Sequence, residues 1–426
     1  MARSPVRPFP NFRTFVAELA AATPEQWLDV PDSVIADKPA FVAIQSYLLN
    51  YYSGVTPSHS FTDANGSIFD CIPVRQQISL RGKKSVGTIR PPEPPPRGGS
   101  PGRWPAQCRP ISQLGPQHTD RFGNTMAAPR GTIPVHRLTL DDLARFRTLD
   151  EFLVRKPAAA SNRRVPRVRG NVAPAAAPTH KHAYGFQLVD NLGGGSTLNV
   201  WSPTVGVGEN MSLSQQWYTA GDDDDTQTVE IGWQVNPNRY GSILPVLFTF
   251  WTADNYNSTG CYNLSCPGFV QTSGKWAIGG ALTPSSVGGG TQFEITLSAF
   301  LHRDKWWLYI GGETSADAIG YYPASIFDGG AMATGATMML VGGEVAGTTS
   351  WPAMGSGTFD TARWRFAAYQ RQVRLFPAGG GSRDADLETT VSSPHCYKAS
   401  KTNAQAPWGE TIWFGGPGGS NCPDVL

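Results

Sequence analysis

The chain has 426 residues, room for two or three domains, and its 40% hydrophobic and 16% charged content, with 47 glycines and 35 prolines, excludes a disordered chain. A net charge of +2 hides an asymmetry: up to Thr179 there are 23 Lys and Arg against 13 Asp and Glu, and from His180 onward 12 against 20. The basic residues are scattered through proline-rich stretches, which excludes a basic nucleic-acid-binding helix, and no apolar run is long enough to span a membrane.

From residue 9 to about 52 the apolar spacing is helical, through Phe12, Phe15, Val16 and Leu19 and again through Phe41, Ile44, Tyr47, Leu48 and Tyr51. Residues 59–81 read as short strands around an Asn65-Gly66 turn. A proline- and glycine-rich loop follows at 91–105, then a second helical stripe at 139–153 carrying Leu140, Leu143, Phe146 and Phe152. Residues 158–182 have no periodicity that could bury a face and read as a linker between an α+β domain at 1–157 and a β domain at 183–426. His180 and His182 fall in that linker and are expected to take no part in chemistry. Eleven of the thirteen tryptophans lie from Tyr184 onward, among short alternating runs. Strands are expected at 184–190, 197–201, 211–218, 226–236, 246–252, 291–300, 306–310, 336–345 and 361–375, separated by regular turn signals. That pattern predicts a mostly β chain, an antiparallel β-sandwich preceded by a small α+β domain.

The opposite charge of the two halves suggests that they dock partly by electrostatics. Six cysteines are most economically paired as Cys71–Cys108, Cys261–Cys266 and Cys396–Cys422 in an oxidising compartment, with reduced thiols as the alternative. An extracellular location is expected on that ground, although residues 15–22 are broken by Glu18 and show no signal-peptide pattern.

Two segments carry the chemistry. QTVEIGWQV places Val229, Ile231, Trp233 and Val235 on one face of a strand and Thr228, Glu230, Gly232 and Gln234 on the other. MMLVGGEV places Glu344 beside Gly342 and Gly343, which let a backbone or a substrate approach closely. Two glutamates on two strands can carry out acid–base hydrolysis without metal, serine or cysteine. Glu209, Glu294 and Glu313 are expected at the surface, and the Asp222–Asp225 run reads as a solvated hairpin tip rather than a calcium loop.

The segments QTVEIGWQVNP, FTFWTADNY, TGCYNLSCPGFVQ, WWLYIG, IGYYP and VGGEV, in that order, resemble the neprosin family of glutamic peptidases that cut after proline. YLLNYY, FDCIPVRQQ and GTIPVHRLTLDDL resemble that family's propeptide. The resemblance implies a curved two-sheet sandwich with Glu230 and Glu344 as the catalytic pair, acting in acid on a shared proton, without cofactor or metal. It supports the pairings of the four later cysteines, whereas Ala127 and Ala128 stand where the family's second propeptide cysteine usually lies. It also implies a zymogen, a monomer whose propeptide inhibits intramolecularly until the linker is cut; Pro166, Pro174 and Pro178 are candidate cut sites. Gln234 is a candidate oxyanion or water-positioning group. Trp233, Tyr240, Trp251, Trp306, Trp307 and Tyr321 are candidate walls of a proline subsite in a cleft for proline-containing polypeptides. Paired carboxylates and abundant aromatics also suit a carbohydrate-active sandwich or a non-catalytic binding module.

Overall fold

Most of the expected strands are present, but the last, expected at 361–375, begins only at Ala368, because Asp360–Ala362 turns as a 3-10 helix. The computed structural model describes residues 9–28, 30–82, 90–96, 105, 107–153 and 178–424. Pro166 and Pro174 lie outside the described residues.

The amino-terminal half opens with α1 (Phe12–Ala21), capped by the Asn11 side chain, and α2 (Lys38–Tyr52), capped by Asp37 with Pro39 in its first turn. A small antiparallel sheet holds β1 (His59–Thr62), β2 (Ile68–Pro73) and, after β3 (Cys108–Pro110), β4 (Thr132–His136). The stripe expected as one helix at 139–153 is two short ones, α3 (Leu140–Leu143) and α4 (Leu149–Leu153). Thr139 and Asp142 form a capping box that fixes the start of α3.

The carboxyl-terminal half is built from β5 (Thr179–Asn199), β6 (Glu209–Ala220), β7 (Gln227–Val235), β8 (Val246–Thr252), β9 (Val270–Gln271), β10 (Gln292–His302), β11 (Lys305–Ile310), β12 (Ala318–Pro323) and β13 (Ala336–Gly347). After these come β14 (Ala368–Pro377), β15 (Arg383–Asp384), β16 (Glu388–Val391), β17 (Lys398–Ala404) and β18 (Gly409–Gly415). A four-residue turn, α5 (Pro237–Tyr240), follows β7. The main path runs β8-β7-β6-β13-β5-β10-β11-β12-β9, with β14 to β18 attached along β5 and β14. The sheet curls so that Thr249 on β8 meets the Tyr322 hydroxyl on β12 at 3.0 Å across the interior.

Two expected strands, 184–190 and 197–201, are one long β5 that begins at Thr179, so residues 179–182 are strand rather than linker. Its first part pairs with β13 and β16, its second with β10 and β14. The switch falls on Gly193-Gly194-Gly195. A Cβ at Gly193 would lie 2.1 Å from the Ala299 carbonyl oxygen, and one at Gly194 2.3 Å from that of Arg374.

The two halves share one apolar cluster, which runs from Phe41, Ile44 and Leu48 through Ile133 to Leu264, Ile278 and the sandwich interior. Amide groups join them as well: Gln77 and Gln271 exchange two hydrogen bonds of 2.8 Å, and Gln113 and Ala277 exchange bonds of 3.1 and 2.8 Å. Ser79 donates to the Phe269 carbonyl at 2.6 Å, and the Ala281 N–H donates to Asp63 at 2.8 Å. Charged side chains also bond across the halves: Arg145 donates to the Asn238 carbonyl at 2.7 Å, and the Ser315 N–H donates to Glu93 at 2.9 Å.

Cys261–Cys266 and Cys396–Cys422 are disulfides, whereas Cys71 and Cys108 are free thiols. The expected third bridge fails because the two residues serve different sheets. Cys71 is buried in β2, and Cys108 sits in β3, which pairs with β10 of the other half. Burial, with Asp70 nearby for Cys71 and Glu294 for Cys108, pushes both thiols up to about 12. The unreduced chain should titrate two thiols once denatured and react slowly when native; a thiol count of zero after unfolding would overturn the assignment.

Candidate active site

Strand register builds the site. On β6, Leu213 stands between Gln234 of β7 and Glu344 of β13, Gln215 between Gly232 and Gly342, and Trp217 between Glu230 and Leu340. Residues paired across strands share a face, so Glu230, Gln215 and Glu344 lie on one side of the sheet along a single diagonal. Each diagonal step is about 7–8 Å in a flat sheet, which sets the two glutamates roughly 15 Å apart between Cα atoms, with Gln215 midway. The opposite face of β7 points into the core, where Val229, Ile231, Trp233 and Val235 are fully buried.

Each glutamate is held by its own partners. Glu230 is 0% exposed, and its Oε1 accepts hydrogen bonds from the Tyr256 hydroxyl at 2.6 Å and the Thr228 hydroxyl at 3.0 Å. Tyr256 stacks on Phe250, the β8 partner of Glu230, with ring centroids 5.7 Å apart. It reaches back because Asn255 and Tyr256 both adopt left-handed backbone, and the Thr252 hydroxyl accepts the Tyr256 N–H at 2.9 Å. The loop is pinned by Asp254, whose carboxylate accepts from the Ser258 and Thr259 hydroxyls, both at 2.6 Å. Partial burial alone would raise the Asp254 pKa; these hydroxyls and the neighbouring N–H groups outweigh it and hold it below the usual range. A depressed folded-state pKa makes this contribution complete above the unfolded value and lost only as pH falls through the lower folded one, so the loop keeps its anchor into acid.

Glu344 is 2% exposed and contacts His180 Nδ1 directly, with His182 Nε2 at 3.9 Å. These histidines pair with Ala346 and Glu344 across β13, and their rings stack at 6.5 Å. The expectation that they stand idle in a linker is thus corrected: starting β5 at Thr179 aims both at Glu344. Their spacing, His-x-His within an alternating THKHAYGFQ run, was the available signal.

The aromatic candidates divide. Trp233, Trp251 and Trp306 belong to the main core, and the indoles of Trp233 and Trp306 donate to the Asn199 and Met332 carbonyls at 3.0 and 2.7 Å. Trp307 and Tyr321 pack in a separate cluster on β11 and β12 with Leu80 of the amino-terminal half. Tyr240 is buried and accepts from Gln234 Nε2 at 3.0 Å, so that amide is engaged in holding α5. The rings that do lie beside the glutamates are Trp217, Phe248, Phe250, Tyr262, Tyr184 and Tyr256. Glu294, expected at the surface, is fully buried in an ion pair with Arg371 on another part of the sheet.

The amino-terminal half reaches the margin of this face. Arg239 of α5 lies 4.2 Å over the Tyr262 ring and 4.9 Å over that of Phe152, and it donates to the Phe152 carbonyl at 2.6 Å.

Residues 208–417 match the model of the Neprosin family. This half of the chain is a Neprosin domain. Glu230, Gln215 and Glu344 all fall inside the match, whereas His180 and His182 precede it. Solved structures that are similar to this chain include two peptidases. One is Scytalido-glutamic peptidase with a peptide based transition state analog, at 10% identity and a TM-score of 0.30, covering 55% of this chain and 97% of that one. The other is SCP-B, a member of the Eqolisin family of peptidases, in a complex with the tripeptide Ala-Ile-His, at 9% identity and a TM-score of 0.28, covering 55% and 96%. A Neprosin domain with two buried glutamates on one sheet face supports a glutamic-type peptidase.

Proposed function

We propose that this chain is the zymogen of a glutamic endopeptidase that cuts polypeptides after proline in acid, with Glu230 and Glu344 on either side of the scissile bond. The observation that carries the reading is the shared face on which both carboxylates are buried and individually positioned, one by Tyr256 and Thr228, the other by His180. One glutamate, ionised, takes a proton from water as the water oxygen attacks the peptide carbonyl. The other, protonated, delivers its proton to the leaving nitrogen. The two act as a unit, and acid keeps one of them protonated. Trp217 and Tyr184, with ring centroids 6.2 Å apart beside Glu230, offer flat apolar walls to a proline ring.

The zymogen reading is supported by Arg239, which ties Phe152 of the amino-terminal half to Tyr262 at the margin of the face. The joining segment leaves from Leu153 at that margin and re-enters at Thr179, beside the Glu344 strand. A cut there, after Pro178 or earlier, separates the halves covalently. Two disulfides suit an oxidising compartment outside the cell.

The test is to incubate the full-length chain in acid with a proline-containing polypeptide and map the new termini by mass spectrometry. New carboxyl termini at proline are expected. Cleavage scattered over other residues would remove the specificity, and sugar hydrolysis without peptide cleavage would remove the peptidase.

A further inference from the structure

We propose that Gln215 is a catalytic residue of this site, the hydrogen-bond donor that receives the oxygen of the scissile carbonyl as it becomes an oxyanion. The inference rests on the peptidase reading and deepens it. Gln215 is 0% exposed, yet neither its Nε2 nor its Oε1 has a hydrogen-bond partner. Buried primary amides are ordinarily satisfied, because an unpaired group forfeits its hydration without return. The neighbouring Gln216, on the core face, illustrates the ordinary case: its Nε2 donates to Ser196 and Leu297 at 2.8 and 2.9 Å, and its Oε1 accepts from Tyr218 at 2.8 Å.

The backbone is arranged around this one side chain. Its partners on both adjacent strands are glycines, Gly232 and Gly342. A Cβ at Gly232 would lie 2.6 Å from the Gln215 Cβ and 2.2 Å from the Ser214 carbonyl oxygen. One at Gly342, whose φ is +152°, would lie 2.7 Å from the Tyr184 Cβ. The glycines therefore draw the strands together and leave Gln215 as the only side chain at its level on the three strands. Along the diagonal, its neighbours are Glu230 on one side and Glu344 on the other. A peptide carbonyl placed for attack between the two carboxylates lies over the amide.

The step balances without change to Gln215. As the water oxygen bonds to the carbonyl carbon, the π pair moves onto the carbonyl oxygen and a water proton passes to one glutamate. When the C–N bond breaks, that pair re-forms the C=O bond, and the nitrogen leaves with a proton from the other glutamate. Throughout, the Gln215 N–H donates to the oxygen, most strongly when it is charged. An amide has no titration in the working range, so its removal should lower the rate without moving the pH profile.

The test uses the full-length chain with Gln215→Leu and Gln215→Asn, assayed on a proline-containing peptide. Gln215→Leu should lower kcat by about 10²- to 10³-fold, as loss of one oxyanion donor does. KM should change by less than about threefold, and both limbs of the pH profile should stay in place. Gln215→Asn, which withdraws the donor by one methylene, should fall between Leu and Gln. The melting temperature of Gln215→Leu should equal or exceed that of the parent, because an unsatisfied amide is replaced by an apolar group of similar size. Wild-type kcat in Gln215→Leu would overturn the inference while leaving the peptidase intact. A rate loss in Gln215→Leu accompanied by a lowered melting temperature, with Gln215→Asn fully active, would overturn it in favour of a packing role. No cleavage by the parent chain under any condition would overturn the peptidase and the inference together.

Discussion

Glu230→Gln and Glu344→Gln should each reduce peptide cleavage by at least about 10³-fold, the middle of the range for loss of a general acid or base. The substitution keeps size and shape, so it tests charge and proton transfer rather than packing. In Glu230→Gln the amide oxygen can still accept from Tyr256 and Thr228, and the fold should be retained within about 1 kcal/mol. Glu344→Gln replaces a charge-assisted contact with His180 by a neutral one, so a somewhat larger loss of stability is expected there. Initial rates across the acid range, beside urea unfolding curves, check both statements. On the dyad proposed above, the double variant should be little worse than either single one. A single variant that keeps a tenth of the parent rate would remove that residue from the chemistry.

Arg371→Met should destabilise the folded chain by about 3–5 kcal/mol, the usual cost of leaving a buried charge without its partner. Arg371 is 3% exposed and Glu294 fully buried; Nε and Nη2 of the arginine meet the two carboxylate oxygens at 2.8 Å each. Tyr369 donates to the same carboxylate at 2.7 Å, and Arg371 Nη1 also donates to the Pro407 carbonyl at 2.7 Å. Without the guanidinium, Glu294 must protonate or draw in water, and either distorts the β10–β14 region of the sheet. Replacing both partners, Arg371→Met with Glu294→Met, should recover most of the loss. Chemical denaturation of the single and double variants measures this directly. A double variant no more stable than Arg371→Met alone would mean that packing around the pair, not its charge, sets the cost.

Much of this architecture was legible in the sequence because β-sheets write their faces in alternation. QTVEIGWQV reads correctly in both directions, with Glu230 on the site face and Trp233 in the core. The same alternation excludes Trp233 from the cleft, since odd and even residues of a strand cannot share a face. Trp251 and Trp306 were misread for another reason: neighbouring strands decide which face is covered, and register is not visible in one segment. Gln215 was hidden on the same ground. Nothing in SLSQQWY separates a structural glutamine from an unpaired one until Gly232 and Gly342 are brought alongside it. His180 and His182 were lost to a boundary, because the proline-rich stretch before them masks the start of an alternating run. Cys71 and Cys108 were paired by arithmetic, and only the placement of β3 against β10 shows that they belong to different sheets.

That placement reaches further than the thiols. β3 is three residues long, yet it lies parallel to β10, so the amino-terminal half lends a strand to the carboxyl-terminal sheet. Severing the chain between residues 153 and 178 breaks one covalent bond and none of these non-covalent ones. The nicked molecule is then a heterodimer born from a single gene product, with a dissociation constant of its own. On the zymogen reading proposed above, activation then waits on the off-rate of the amino-terminal partner, and dilution favours it as well as the cut.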